Sequence, residues 1–511
     1  MGLSITSAIA LAGVDGTRIE VQCDISAGLP GLSFTGLADT SVVESRERVR
    51  SAVVNSGAVW PNRRVTVALF PADVSKSGSR FDLAVTMAVL SAANTVPGKA
   101  VEGVAWIAEL GLDGTLRPVR GVLPAVLAAR RTGVERVVVS TGNAAEAALV
   151  SGVEVRMAST LRQVLAALTG QGPPLPQARA AASACAEPAA LPDIAEVSGQ
   201  PTAKWALEIA AAGGHHLMMV GAPGAGKTML AERLPGLLPR LDDQDSLEVT
   251  ALHSVAGLLN DRPRLVRRPP WQAPHHTASV ASLVGGGSHL ARPGAISLAH
   301  RGVLFLDESP EFSVRALDAL RQPLESGTVT LSRGGGTVVY PARFQLVLAA
   351  NPCPCAKPAD QCVCTAMVRR RYEQRLSGPL MDRIDLQLQI APVSRADLYD
   401  PQGQVDTSAA VAARVLVARQ RAAVRWRGTP WRLNAEIPGP VLRSTPWLPP
   451  AAVLRGAEHA LETGSLSARG FDRVLRLAWT IADLDAVPAP RAEHVREALQ
   501  LRTGDVTGAA A

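Results

Sequence analysis

The pattern of apolar and polar residues changes twice along the 511-residue chain. Near the N-terminus, short β-rich runs ("RVTVALF", "RVVVS") lie among apolar helical stretches such as "DLAVTMAVLSAA". Beyond a segment with five prolines, 171–192, apolar strands alternate with helices, which is typical of a parallel sheet covered by helices. From about Val393 the periodicity is mainly helical. The pattern predicts an N-terminal domain, a linker, an α/β core and a helical C-terminal domain: 1–170, 171–192, 193–392 and 393–505.

The composition, 47% hydrophobic and 19% charged, predicts a folded soluble protein. No apolar stretch is long enough to span a bilayer, and the N-terminus lacks the basic region of a signal peptide. We therefore expect a cytoplasmic protein with no membrane partner. The net charge of +7, from 52 Lys and Arg against 45 Asp and Glu, permits a polyanionic partner such as DNA without requiring one.

The strongest local signal is a glycine-rich loop between an apolar strand and a helix. The strand Leu217 to Val220 runs into G-x-x-x-x-G-K-T, whose glycines let backbone N–H groups surround a phosphate at a helix N-terminus. We predict that this P-loop binds ATP with Mg²⁺. Lys227 would reach the β- and γ-phosphates, and Thr228 would ligate Mg²⁺. The residues assigned to the loop are Gly221, Ala222, Pro223, Gly224, Ala225, Gly226, Lys227 and Thr228.

Two further apolar runs end in polar side chains that suit nucleotide hydrolysis. Val303 to Leu306 is followed by Asp307, a candidate Mg²⁺ ligand, and by Glu308, a candidate for polarising the attacking water. A third run, "FQLVLAAN", ends in Asn351, whose amide can hydrogen-bond both that water and the γ-phosphate. We interpret Asn351 as a nucleotide sensor.

Four of the six cysteines lie within twelve residues just after Asn351, in the order C-x-C-x₆-C-x-C. Four soft ligands in one loop favour a structural Zn²⁺ with no open coordination position. Redox-active thiols and unliganded cysteines remain as alternatives, because C-x₂-C is the commoner zinc spacing. The candidate ligands are Cys353, Cys355, Cys362 and Cys364.

The P-loop, the acidic pair and the sensor asparagine occur in the order found in AAA+ ATPases, and longer segments narrow the match. The stretches "QAPHHTASVASLVGGGSHLARPGAISLAHRGVLFLDESPEF", "LRQPLESGTVTLSRGGGTVVYPARFQLVLAANPCPC" and "RLSGPLMDRIDL" closely resemble the magnesium-chelatase-like YifB/ComM family. N-terminal stretches such as "GLPGLSFTGLADTSVVESRERVRSAVVNSG" fit the same family. The resemblance covers nearly the whole chain, in the same order.

The resemblance implies an α/β fold, with an AAA+ P-loop domain that carries a helical lid. Arg383 matches the arginine finger that acts on a neighbouring subunit's nucleotide, and Arg469 matches the second sensor arginine, carried on a lid helix. A finger acting in trans implies a homo-oligomeric ring, and the family suggests a hexamer. The implied function is ATP-driven remodelling of DNA, in particular branch migration of recombination intermediates. The alternatives are a chaperone or unfoldase and a chelatase-like motor, each acting on a protein partner.

The resemblance also implies two inserted elements and an inactive N-terminal domain. Residues 272–292 match an insert over the ring pore, and 327–344 match a hairpin whose tip, with Arg333, would contact nucleic acid. The first 170 residues resemble the Lon-protease-like, ribosomal S5-like α+β fold. Asp82 stands where a Lon protease has its serine, Ser77 and Ser79 have no partner base, and 101–150 contain no lysine. We therefore expect no proteolytic activity.

A basic stretch, 407–435, has six arginines and no acidic residue, with Trp426 and Trp431 among the arginines. Arginine with interleaved aromatics suits phosphate contact and base stacking. The alternative is a helical surface engaged in protein packing. The arginines are Arg414, Arg419, Arg421, Arg425, Arg427 and Arg432.

Overall fold

The computed structural model places most of the chain in two α/β units that pack on each other. Residues 180–190, which include Cys185 and half of the predicted linker, lie outside the part that it describes, as does Ser77. The described residues are 2–36, 39–76, 78–179, 191–259, 263–287, 291–333, 336–357, 361–395 and 406–504.

The N-terminal unit is built on a mixed seven-stranded sheet, in the order β3-β4-β2-β1-β5-β8-β9. β2 pairs antiparallel with both β1 and β4. The other pairs in this sheet are parallel: β3 with β4, β1 with β5, β5 with β8, and β8 with β9. The strands are β1 Gly2–Ala12, β2 Asp15–Ser26, β3 Gly31–Thr35, β4 Arg64–Phe70, β5 Val104–Ile107, β8 Arg136–Ser140 and β9 Glu154–Ala158, with a separate pair β6 Glu109–Leu110 and β7 Leu116–Arg117.

Among the described residues, six α-helices accompany this sheet. Every residue of α2 is buried, as expected of a helix that is apolar on all sides. The helices are α1 Thr40–Asn55, α2 Asp82–Ala92, α3 Gly98–Val101, α4 Val122–Arg131, α5 Ala144–Ala147 and α6 Leu161–Leu168.

The second unit has a five-stranded sheet, in the order β11-β14-β17-β10-β18, and all its pairs are parallel. Its central strands are almost continuously apolar and buried, as is typical of a parallel sheet covered on both faces. The strands are β10 Leu217–Gly221, β11 Trp271–Gln272, β14 Val303–Leu306, β17 Gln345–Ala350 and β18 Leu386–Ile390. The predicted parallel α/β sheet is confirmed.

Helices surround this sheet, and a helical group from the C-terminal part of the chain shares its core. Val415, Leu475 and Ala498 of that group lie in one buried cluster with Leu207 and Leu217. The helices are α7 Pro201–Gly213, α8 Lys227–Leu237, α9 Asp243–Ala256, α10 Val280–Val284, α11 Ala295–Leu298, α12 Val314–Asp318, α13 Arg321–Ser326, α14 Ala366–Glu373, α15 Gly378–Met381, α16 Ser408–Arg425, α17 Gly439–Leu442, α18 Ala451–Glu462, α19 Ala468–Leu484 and α20 Ala492–Thr503.

The described part of the second unit also contains two small antiparallel pairs. β12 Gly285–Gly286 pairs with β13 Arg292–Pro293, at the C-terminal end of the predicted insert. β15 Thr328–Arg333 pairs with β16 Gly336–Pro341, so the hairpin predicted from the sequence is present. Gly334 and Gly335, at its turn, lie outside the described residues.

The two units make direct contact at two places. The backbone N–H of Gly121, just before α4, donates to the carbonyl of Ser254 in α9 at 3.3 Å, and the Ser254 hydroxyl donates to the buried carboxylate of Glu146. The β1–β2 turn approaches the hairpin so closely that a Cβ on Gly13 would lie 2.8 Å from a methyl of Val338. The N-terminal unit therefore packs against both α9 and the hairpin.

Within the described ranges, no helix is both long enough and apolar enough to cross a membrane.

Candidate nucleotide-binding and hydrolysis site

The glycine-rich loop leaves β10 and turns directly into α8. Gly224 and Gly226 have φ values of +77° and +90°, in the left-handed region that glycine adopts without strain. Gly221 is required for a different reason, because a Cβ there would lie 2.5 Å from the carbonyl oxygen of Ile390 on β18. The loop thus has the strand–turn–helix geometry that exposes backbone N–H groups to a phosphate.

Lys227 is 8% exposed, and its ammonium lies inside the loop. Its Nζ donates to the carbonyl oxygens of Gly221 at 2.8 Å and Ala222 at 3.0 Å, and to Oδ1 of Asn351 at 3.1 Å. Burial lowers the pKa of Lys227, and the carboxylates of Asp307 and Glu308 oppose that shift. The predicted sensor and the P-loop lysine are therefore in direct contact.

The predicted magnesium ligands are also neighbours. The Thr228 hydroxyl donates to Oδ2 of Asp307 at 2.7 Å, and the backbone N–H of Glu308 donates to Oδ1 of the same carboxylate at 2.9 Å. The hydroxyl of Ser309 donates to the carbonyl of Ala349 at 2.9 Å, which ties the end of β14 to β17. A hydroxyl and a carboxylate at this spacing suit Mg²⁺, which prefers oxygen ligands.

These groups meet because the strands that precede them are parallel neighbours in register. Val220 pairs with Ala350, and Leu306 pairs with Leu348, so β10, β14 and β17 end at one edge of the sheet. Sites in open parallel sheets lie at this carboxyl edge. The P-loop, the acidic pair and Asn351 all follow these strand ends.

Arg383 lies at the opposite edge of the sheet. It precedes β18, whose first residue, Leu386, pairs with Leu217 at the start of β10. A five-residue strand is roughly 16 Å long, so β18 separates Arg383 from the edge that carries the P-loop. The guanidinium, 11% exposed, bonds Glu325 and the carbonyl of Pro379 in the same chain.

Arg469 lies near the same edge as Arg383. It is the second residue of α19, and its nearest acidic partner is Asp382, at 3.7 Å. Its side chain is 73% exposed. The structure brings Arg469 close to the segment that carries Arg383, not to the P-loop of its own chain.

Two residues of this region make contacts that the sequence did not predict. Asp385 is fully buried and accepts from the backbone N–H of His216 at 3.0 Å and from Arg473 at 2.8 Å. Burial alone would raise the pKa of Asp385, but Arg473 and His215 outweigh it and hold that pKa well below its usual range. The second residue is His276, which lies 3.2 Å from the carboxylate of Glu308. Both contacts join segments far apart in the chain.

The four cysteines of the C-x-C-x₆-C-x-C loop converge on one point. Their Sγ atoms all lie within 4.8 Å of one another, and those of Cys353 and Cys362 are 3.5 Å apart. Tetrahedral zinc with Zn–S bonds of about 2.3 Å separates its sulfurs by about 3.8 Å, so the cluster fits that ion. A hydrogen bond from Cys353, aided by the backbone N–H of Lys357, lowers the pKa of Cys355 to about 6, which favours the thiolate that binds metal.

The basic stretch of 407–435 is largely engaged within the chain. Arg414 pairs with Glu208 at 2.6 Å, and Arg419 donates to the carbonyl of Ala211. Arg425 lies 4.3 Å from the ring centroid of Trp479, and Trp426 is 2% exposed. These contacts favour the packing alternative over a nucleic-acid surface.

In the N-terminal unit, the position that the resemblance aligns with the serine of Lon proteases holds Asp82, which forms an ion pair. Asp82 is 1% exposed and lies 2.9 Å from Arg48. Burial raises the pKa of Asp82 to about 6, although Arg48 opposes the shift. The hydroxyl of Ser79 donates to the carboxylate of Glu109.

A parallel α/β sheet with a glycine-rich loop, a Thr–Asp pair and an asparagine at one edge has the arrangement typical of P-loop nucleotide-binding proteins. Family models agree with that class. Residues 193–398 match the model described as magnesium chelatase, subunit ChlI. Residues 21–143 match subunit ChlI of Mg-chelatase, and 405–502 match the C-terminal model of the same subunit.

Full-length relatives extend the match. The chain is 51% identical over 504 residues to an uncharacterized protein of Mycobacterium tuberculosis, covering 98% of this chain and 99% of the relative. It is 40% identical over 507 residues to YifB of Escherichia coli, covering 99% and 98%. It is 39% identical over 507 residues to the competence protein ComM of Haemophilus influenzae, covering 98% of each. The chain belongs to the magnesium-chelatase-like YifB/ComM family.

Proposed function

We propose that this protein is a ring-forming AAA+ ATPase that couples ATP hydrolysis to the remodelling of DNA, specifically to branch migration of recombination intermediates. The observation that carries the proposal is the distribution of the hydrolytic groups over both edges of the sheet. Lys227, Thr228, Asp307 and Asn351 lie at the carboxyl edge, and Arg383 lies at the amino edge.

At the carboxyl edge, each side chain has one task in hydrolysis. Lys227 stabilises negative charge on the β- and γ-phosphates, and Thr228 with Asp307 would hold Mg²⁺. When bound, that ion neutralises charge that develops on the phosphates. Glu308 polarises the attacking water, and Asn351, already bonded to Lys227, orients it.

The arginine at the amino edge needs a second copy of the chain. A neighbour that presents its amino edge would place its Arg383 beside this subunit's γ-phosphate. Arginine fingers supply roughly 10³–10⁵ in rate where they have been dissected. Arg469, near the same edge, would be delivered together with Arg383, so the C-terminal helices complete the neighbour's site. Head-to-tail contacts of this kind close into rings, and we propose a hexamer.

Three observations support DNA as the substrate. The hairpin β15–β16 packs beside the insert that contains β12 and β13, and the hydroxyl of Tyr340 donates to the carbonyl of Ala291 between the two elements. The chain has a net charge of +7, and one full-length relative is named a competence protein. We propose that the hairpin tip and the insert contact DNA in the ring pore.

We also assign supporting roles to the two remaining elements. The four-cysteine loop would hold a structural Zn²⁺ next to Asn351, which leaves no open position for chemistry. The N-terminal unit, with its Lon-like order of motifs and buried Asp82, would act as a scaffold that supports α9 and the hairpin.

The test is the ATPase rate of the purified full-length chain with a four-way DNA junction, with single-stranded DNA and without DNA. Lys227→Ala serves as the blank. We expect strong stimulation by the junction that is lost at high salt, as phosphate contacts require. Hydrolysis that ignores every nucleic acid would contradict the DNA proposal and favour an unfoldase or a chelatase-like motor. Those two are separated by whether an unfolded protein or a porphyrin-binding partner stimulates the rate.

A further inference from the structure

A cavity of about 760 Å³ lies at the amino edge of the parallel sheet, opposite the edge that carries the P-loop. Its lining includes His216 and Gln345, at the beginnings of β10 and β17. The C-terminal helices form another wall, through Arg419 of α16 and Arg476 of α19. None of the P-loop residues 221–228 lines this amino-edge cavity. Its volume is typical of a site for a small molecule.

The walls of the amino-edge cavity carry more positive than negative charge. Seven arginines and four carboxylates line it, an excess of three positive charges. Asp242 and Asp245 pair with Arg432 at 3.3 Å and 3.5 Å. Glu325 bonds an arginine that does not line the cavity, and Glu436 accepts from two backbone N–H groups. All four carboxylates in the lining therefore already have partners.

Three of the lining arginines, Arg343, Arg419 and Arg476, bond no carboxylate among the residues that the structure describes. Arg419 donates to the carbonyl of Ala211 at 2.9 Å, and Arg476 donates to that of Ile437 at 2.7 Å. Burial lowers the pKa of both Arg419 and Arg476 to about 10. Removing a guanidinium from water without pairing it with an anion is costly. A phosphate would supply that anion, in the geometry that the planar guanidinium binds best.

An aromatic ring lies in the same lining. Trp431, on the segment after α16, is partly exposed there. Its ring packs edge-to-face with that of Trp426, with the centroids 6.1 Å apart and the ring planes at 86°, and this contact orients it. Guanidinium groups beside an aromatic ring suit phosphate contact together with base stacking. A nucleotide combines these two features in one small molecule.

We propose that the amino-edge cavity is a second nucleotide site, separate from the P-loop. Arg343, Arg419 and Arg476 hold the phosphates, and Trp431 stacks on the base. A cavity of this volume accommodates a single nucleotide, whereas single-stranded DNA requires a groove that follows several nucleotides. The inference does not depend on the proposed remodelling of DNA.

The test measures binding of a fluorescent ADP analogue to the full-length chain in which Lys227→Ala disables the P-loop. We expect this chain to retain binding. Adding Arg343→Ala or Arg476→Ala should weaken that binding at least tenfold, because each removes a charge-assisted hydrogen bond to phosphate. Arg427→Ala is the matched control, since Arg427 belongs to the same basic stretch, is exposed and does not line the cavity. It should change the affinity less than twofold.

Photo-crosslinking with azido-ADP, followed by mass spectrometry, locates the bound nucleotide. We expect labelling of a peptide that contains Trp431. Labelling confined to 217–237 would overturn the proposal, as would loss of all binding in the Lys227→Ala chain. Displacement of the analogue by a short single-stranded DNA at lower concentration than by ADP would identify DNA as the ligand instead. Arg343 is exposed, so Arg343→Ala tests the site even where Arg476→Ala unfolds the chain. Unchanged binding by folded Arg343→Ala would show the assignment to be wrong.

Discussion

At the scale of single residues, Lys227 shows how the site is organised around one buried charge. Three oxygen atoms surround its ammonium, and one of them belongs to Asn351, 124 positions away in the chain. Without such acceptors, burial of an ammonium would be costly. In the proposed mechanism the same amide turns to the γ-phosphate of a bound nucleotide, and Asn351 would then respond to whether a phosphate engages Lys227.

Asp385 is the corresponding buried anion at the amino edge. Its carboxylate accepts from the backbone N–H of His216, just before β10, and from the guanidinium of Arg473 in α19, so it links that strand to that helix. Arg383 lies two residues earlier, so this carboxylate anchors the segment that carries the proposed finger.

We predict that Asp385→Asn destabilises the fold by about 3 kcal/mol, because it leaves Arg473 without a charged partner in the interior. Asp382→Asn is the control, since Asp382 is 41% exposed and lies 3.7 Å from Arg469. Its effect should stay below about 0.5 kcal/mol. Urea denaturation followed by circular dichroism measures both. Equal midpoints for the two variants would contradict the structural role of Asp385.

The pKa of Asp385 also sets a pH dependence. The folded chain lowers this pKa, so the ionised carboxylate stabilises the fold above its ordinary pKa of about 4. That stabilisation is lost as the pH falls below about 4 toward the folded-state pKa. Asp385→Asn has no such group to protonate. It should therefore lose less stability than the wild type between pH 5 and pH 3, on the order of 1 kcal/mol less.

At the scale of elements, the cysteine loop and α14 form one unit beside the hydrolytic residues. Thr365, directly after Cys364, caps α14 by accepting from the N–H of Val368 at 3.3 Å. Tyr372, on the same helix, is 5% exposed, and burial, with the nearby carboxylates of Glu311 and Glu308, raises its pKa to about 12. An ion that orders the loop would thus also order a helix packed near Glu308.

We predict that the purified protein contains about one zinc ion per chain, because four converging thiolates bind Zn²⁺ tetrahedrally. Replacing Cys353 and Cys355 with serine should remove the metal, and elemental analysis by mass spectrometry measures it. Cys23→Ala is the matched control, since Cys23 is buried in the N-terminal unit, far from the loop in sequence, and should leave the zinc content unchanged. Metal-free wild-type protein with four freely titrating thiols in this loop would show the zinc assignment to be wrong.

At the scale of the whole molecule, one sheet presents two complementary edges. The carboxyl edge carries the P-loop groups, and the amino edge carries Arg383, with Arg469 nearby. One subunit cannot bring both edges to the same nucleotide, whereas a head-to-tail assembly can. The N-terminal unit contacts α9 and the hairpin, so it would travel with the subunit around such a ring.

Mixing two inactive variants tests this arrangement. Lys227→Ala and Arg383→Ala should each hydrolyse ATP at background rate. An equimolar mixture should recover about a quarter of the wild-type rate, because random assembly pairs an intact P-loop with an intact finger at one interface in about four. Lys227→Ala mixed with Glu308→Gln is the control and should stay inactive, since both defects lie on the same edge. Equal behaviour of the two mixtures would argue against a finger acting in trans.

The local chemistry of this protein could be predicted from sequence because it depends on neighbours in the chain. The P-loop needs glycines at positive φ between a strand and a helix, and all of these lie within residues 217–237. Asp307 and Asn351 could be found because each ends an apolar run. In a parallel sheet such ends collect at one edge, which is a consequence of topology. The spacing of the four cysteines also predicted that their sulfur atoms meet, because a short loop brings its own ends together.

Tertiary structure alone decided the contacts between distant segments. No pattern indicates that His276 meets Glu308, that Asp385 meets Arg473, or that the arginines of 407–435 bond carbonyls and carboxylates within the chain. Nor does a motif show which edge of the sheet carries Arg469. These facts depend on strand order and on how α16 and α19 pack against α7. That packing is set by many small apolar contacts summed over the core, which no short stretch of sequence contains.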